Sequence, residues 1–86
     1  MSPMAAFMLR LTNTPDIAQA EQALIQKLAA SMPLDKAKRL AGQLLSDQKI
    51  PVYTMTVLPP LLGIGESDYA AVMKQQLVHY QEKYPR

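Results

Sequence analysis

The chain has 86 residues, 49% hydrophobic and 19% charged, with a net charge of +2 and no cysteine. Its length predicts one domain, residues 1–86, with a small core. Its composition excludes a disordered chain, and without thiols stability has to come from apolar packing or from association with another chain. So small a net charge does not by itself point to nucleic acid or to an anionic membrane.

Met4 to Thr12 alternates, with Ala5, Phe7, Leu9 and Leu11 on one face and Ala6, Met8, Arg10 and Thr12 on the other. This is the period-two pattern of a strand buried on one side. The apolar run between Pro3 and Arg10 is too short for a secretory signal, so the cytoplasm is the expected location. Asn13-Thr14-Pro15-Asp16 then opens a helix: Thr14 suits the cap, Pro15 the first helical position and Asp16 the positive end of the helix dipole. Ile17, Ala20, Leu24 and Leu28 form its apolar stripe. Ser31-Met32-Pro33 interrupts the pattern, and Leu34, Ala37, Leu40, Ala41 and Leu44 predict a second helix that frays at Ser46-Asp47-Gln48. The two helices should form a hairpin.

Sixteen consecutive residues, Ile50 to Gly65, carry no charge. They do not make a membrane span, because Pro51, Pro59, Pro60, Gly63 and Gly65 break a stretch already short of the roughly 20 apolar residues needed. Ile50 to Leu58 is rich in β-branched and aromatic residues and predicts a second strand, with Pro51 at its start or on a sheet edge. Leu58 to Gly65 reads as an apolar loop. Glu66 or Ser67 then caps a last helix, with Tyr69, Met73, Leu77, Tyr80 and Tyr84 on one stripe. The expected fold is α+β, in the order strand, helix, helix, strand, loop, helix, with the helices packed on one face of a small sheet.

That order resembles the fold shared by Clp protease adaptor proteins and the C-terminal domain of the bacterial ribosomal stalk protein. Thr14-Pro15 before the first helix and Val52-Tyr53-Thr54 in the second strand look like the adaptors, and Leu34 to Leu40 looks like the stalk domain. The resemblance implies a module that works by contact with other proteins. It does not carry over the adaptors' recognition of a substrate's amino terminus, since Thr12 and Asn13 stand where that family has acids and Ser46 stands near its histidine. Of the stalk domain's paired lysines only Lys38 is present, and both families close with a third strand that has no counterpart after the last helix here.

Chemistry-bearing candidates are few. His79 and Glu82 could supply two metal ligands from one helix, but structural zinc takes four, and no metal or other cofactor is expected. Ser46-Asp47 lacks a base in sequence, and Gly63-Ile64-Gly65 before a helix would place Glu66 and Asp68 against any phosphate. No catalytic residue is expected. The leading reading is therefore a non-enzymatic protein-interaction module, an adaptor, regulator or small subunit. It would bind another protein, or a second copy of itself, through Leu58, Leu61, Leu62 and Ile64 with Tyr80 and Tyr84. The alternative is a DNA-binding regulator of the ribbon-helix-helix type, using Arg10 on the first strand or Lys36, Lys38 and Arg39 on the second helix. Neither reading involves a membrane.

Overall fold

The computed structural model describes residues 1–85. Five α-helices follow one another: α1 (Pro3–Thr12), α2 (Ile17–Ala29), α3 (Leu34–Leu44), α4 (Thr54–Leu62) and α5 (Glu66–Lys83). Among the described residues there is no strand, so the expected α+β class is corrected to all-α: the first expected strand is helical, the second is helical from Thr54 onward, and the expected loop is helical as far as Leu62. The strand order on which the family resemblance rested is therefore not the one this chain adopts.

The first correction has a clear cause. Apolar residues occupy nearly every position from 4 to 11, so a period of two fits no better than 3.6, and local chemistry decides. Ser2 Oγ accepts the Ala5 N–H at 3.1 Å, and Pro3 sits at the first helical position, where its missing N–H costs nothing. Ala, Met, Leu and Arg then favour helix. Met4, Ala5 and Met8 are buried, with Leu11 and Thr12 half-buried on the same side. Asn13 ends the helix in the left-handed region, at φ 56°, and the N–H groups of Asn13 and Thr14 bond the Arg10 and Leu9 carbonyls.

In α4 the β-branched residues do not extend the chain, because the two threonines bond locally instead. Thr54 Oγ1 donates to the Pro51 carbonyl at 2.6 Å and Thr56 Oγ1 to the Tyr53 carbonyl at 3.1 Å. The N–H groups of Thr54, Met55 and Thr56 bond the carbonyls three residues back, so the helix is entered through a tight 3₁₀-type turn. Pro59 and Pro60 lie inside α4 and have no N–H for the carbonyls of Met55 and Thr56. Those two residues are exposed, so water can replace the missing donors. Gly63, at φ 68°, closes the helix, and Ile64 N–H bonds the Pro59 carbonyl at 3.0 Å.

The remaining helices lie where the sequence pattern puts them, with shifted caps. Asp16, not Thr14, caps α2, accepting from the Ala18 and Gln19 N–H groups, while Thr14 Oγ1 accepts from the Asp16 N–H. Packing of α2 on α3 buries Ala20, Leu24 and Leu28 together with Ala37, Leu40, Ala41 and Leu44. The α1 helix lies against α2, α3 and α5, and α4 packs against α2 and α5. One core results, and it includes Tyr69 and Val72 of α5.

Candidate functional site

The site is built on α5, whose two apolar rows have different fates. Tyr69, Val72 and Gln76 form the buried row, facing α1 and α4. The row expected as a single core stripe precesses away from that face, because each i to i+4 step turns about 40° on a helix of 3.6 residues per turn. Tyr69 is thus fully buried, Met73 and Tyr80 are half-buried, and Leu77 and Tyr84 are 45% and 54% exposed.

Between this outer row and the connector after α3 lies an apolar groove of about 410 Å³. Ala70, Met73, Leu77 and Tyr80 form one wall, Val52 and Met55 the other, with Ile50 and Gln76 between them and Lys49 and Lys74 also on the lining. Val52 is 72% exposed and Met55 36%. A second hollow of about 280 Å³ shares Lys49, Leu77 and Tyr80 with the first and adds Gln81, Tyr84 and Pro85, so the depression runs on along α5. The rings of Tyr80 and Tyr84 lie 5.0 Å apart, centroid to centroid, and pack on each other beside it.

Polar bonds hold the connector beside α5. Gln76, 2% exposed, accepts the Met4 N–H at 3.0 Å through Oε1 and donates Nε2–H to the Gln48 carbonyl at 3.3 Å. Ser2 Oγ donates to the Ser46 carbonyl at 3.0 Å. Asp47 receives Lys83 Nζ on one carboxylate oxygen and His79 Nε2, at 3.1 Å, on the other. The hydrogen bond from Lys83, and then that from His79, hold the Asp47 carboxyl below its ordinary range. The same bond to Asp47 raises the Lys83 ammonium. At the other end, Tyr69 O–H donates to Thr54 Oγ1 at 3.0 Å, and burial pushes the Tyr69 phenol up. Gln76 has spent both ends of its amide on the fold, so its side chain leaves neither end free for the groove.

The sequence candidates are dispersed by the fold. Leu58 is fully buried and Leu62 4% exposed, so these two belong to the core and are not available to a partner. Leu61 and Ile64 are partly buried and pack against that core. Only Tyr80 and Tyr84 of the named set reach the groove. Arg10 lies near the end of α1, its guanidinium 5.9 Å from the centre of the Phe7 ring, and not on a strand. The ribbon of a ribbon-helix-helix dimer is therefore absent from the described residues. Lys36, Lys38 and Arg39 are exposed on α3, with Lys36 Nζ 5.5 Å from the centre of the Tyr53 ring. His79 faces Asp47, and among the described residues no three His, Asp or Glu side chains come together as a metal site. No helix of the described residues is long and apolar enough to cross a membrane.

Sequence reasoning missed Val52, Met55 and Gln76. A polar side chain four positions before Tyr80, three after Met73, was the one visible anomaly on the helix. Comparison with protein-family models, curated proteins and solved structures returns no match for this chain.

Proposed function

We propose that this chain is a non-enzymatic protein-interaction module whose contact site is the groove between α5 and the segment 49–55, which comprises the end of the connector and the start of α4. The observation that carries the reading is an exposed apolar surface, Val52, Met55 and Leu77, around a groove in which the Gln76 amide is bonded at both ends, with Tyr84 beside the adjoining hollow. A site for a small polar substrate needs converging donors and acceptors to orient it. Here Lys49, Lys74 and the Tyr80 hydroxyl are the polar groups on the main lining besides Gln76, and the rest is hydrocarbon and thioether. Apolar grooves of this kind, walled by a helix, suit the apolar face of another helix, and methionine lets the wall adapt to it.

Site-specific photo-crosslinking in the native cell tests this directly. A photoreactive residue at Leu77 or Met55 should yield a discrete protein adduct, and the same residue at Lys27, exposed on α2, should not. Equal labelling from all three positions, or no adduct from the groove, removes the reading.

A further inference from the structure

We infer that the groove's occupant is α5 of a second copy of this chain, docked antiparallel across a two-fold axis; the inference rests on the groove being a protein-binding site. A groove walled by a helix asks for a helix with an apolar seam, and the wall itself is such a helix. Met73, Leu77, Tyr80 and Tyr84 follow one another at spacings of four, three and four, the alternation that keeps a seam facing a partner helix. An isologous interface needs one patch that complements itself. If the axis passes between Val78 and His79, Leu77 meets Tyr80 of the second copy and Met73 meets Tyr84, each contact occurring twice. All four layers are apolar, and two join a thioether to an aromatic ring, a favourable pairing.

Charge agrees with this register. Lys74, the cation flanking the seam, is placed beside Gln81 of the second copy rather than beside another cation, while Lys83 is turned aside to Asp47. The Tyr80 and Tyr84 rings are already packed together, so little side-chain freedom remains to be lost on docking. Val52 and Met55 form the opposite wall and extend the contact beyond the two helices. With Val52 72%, Tyr84 54%, Leu77 45% and Met55 36% exposed, the contact covers on the order of 1,000 Å² in total, below the roughly 1,200 Å² at which stable interfaces begin and within the range of weak, transient ones. The dimer is accordingly reversible.

Two measurements on the full chain decide it. The sedimentation-derived mass should rise from one chain toward two between about 1 µM and 1 mM, since association follows mass action. L77E should raise the dissociation constant by about 100-fold or more while circular dichroism stays native, and V52D, at a more exposed site, should also weaken it. The chain has no cysteine, which allows a clean cross-link. Mixing M73C with Y84C should give a mixed disulfide, whereas M73C alone should not. In the antiparallel pair the two copies of residue 73 lie 11 residues apart along the seam, about 16 Å, beyond the ~7 Å reach of a disulfide. A chain that stays monomeric at 1 mM, or a disulfide formed readily by M73C alone, overturns the inference, as does a monomer that carries a bound acyl chain in native mass spectrometry. Adducts from Leu77 to a different protein overturn the second copy and leave the groove reading standing; the absence of any adduct removes both.

Discussion

Gln76→Leu is the substitution that tests the frame of the site most directly. Leucine has nearly the volume of glutamine and suits a fully enclosed position, so packing is preserved and the polar bonds are isolated as the variable. The Met4 N–H, one of the donors at the start of α1 that no intrahelical carbonyl serves, would lose its acceptor inside the core. A buried unpaired N–H costs about 1–3 kcal/mol. The Gln48 carbonyl loses less, because Gln48 is exposed and water can replace the amide. Leucine returns part of this through its apolar surface. The net loss is about 2 kcal/mol, equivalent to roughly 8–16 °C in Tm for a domain of this size. Thermal unfolding followed by far-UV circular dichroism at pH 7 reads it, and amide exchange at Met4 should quicken in the same variant. Gln76→Glu is the control: it keeps an acceptor for Met4, offers Gln48 a donor only while protonated, and buries a carboxyl whose folded pKa rises. Its stability is then present below the ordinary carboxyl range and lost as pH rises through the folded value. A Gln76→Leu protein as stable as the parent would refute the staple.

Two further outcomes follow from single residues. Asp47 is held below its ordinary pKa of 3.8, so its contribution is present above that value and lost as pH falls through the folded one. Lys83 is raised above 10.5, so its share is present below that value and lost as pH rises through the folded one. The Tm difference between the parent and Asp47→Asn should therefore shrink at both the acid and the alkaline end; a difference that grows in acid contradicts the pairing. Gly63→Ala should cost about 1 kcal/mol, because φ is 68° and the space around the new methyl is empty, leaving only backbone strain. Gly65→Ser, at φ −71° and the α5 cap, should instead gain a few tenths of a kcal/mol in denaturant unfolding.

How much of this was legible depended on whether local chemistry and pattern agreed. In α2 and α3 the stripes 17/20/24/28 and 34/37/40/41/44 have one period and alternate with charge, and both helices are where those stripes lie, although the first residue of each, Ile17 and Leu34, is exposed at its helix start. From Ala5 to Leu11 hydrocarbon is almost continuous, so the alternation of strand faces was a labelling of residues that all qualify. The decisive signal there was Ser2-Pro3, a cap followed by a helix-starting proline. In Thr54 to Leu62 propensity pointed the wrong way, and the two prolines read as a loop. Threonine back-bonds and the Gly63 closure are local bonds that a residue-by-residue propensity does not contain. For the site, the tyrosine row of α5 was visible and its use as an outer wall was not. Leu58 and Leu62 are hidden because α4 turns them onto α5 and α2. Met55 became surface for the same reason, and Val52 lies exposed in the turn before α4.

The groove exists because α5 is longer than what covers it. Eighteen residues make about 27 Å of helix, against about 14 Å for α4, so α4 cannot follow α5 along its length. The connector after α3 and the start of α4 could have collapsed onto the uncovered flank and sealed it with Val52 and Met55. The connector is restrained by Ser2 at Ser46, by His79 and Lys83 at Asp47, and by Gln76 at Gln48, a set of polar bonds distributed along consecutive residues. Closing the gap would stretch several of these to bury side chains that a partner can bury without breaking any of them. The wall is thus held open before anything docks, which lowers the ordering cost of association. Loosening the staple at Gln76 should therefore weaken docking more than the lost stability alone accounts for, since it frees the wall as well as the fold.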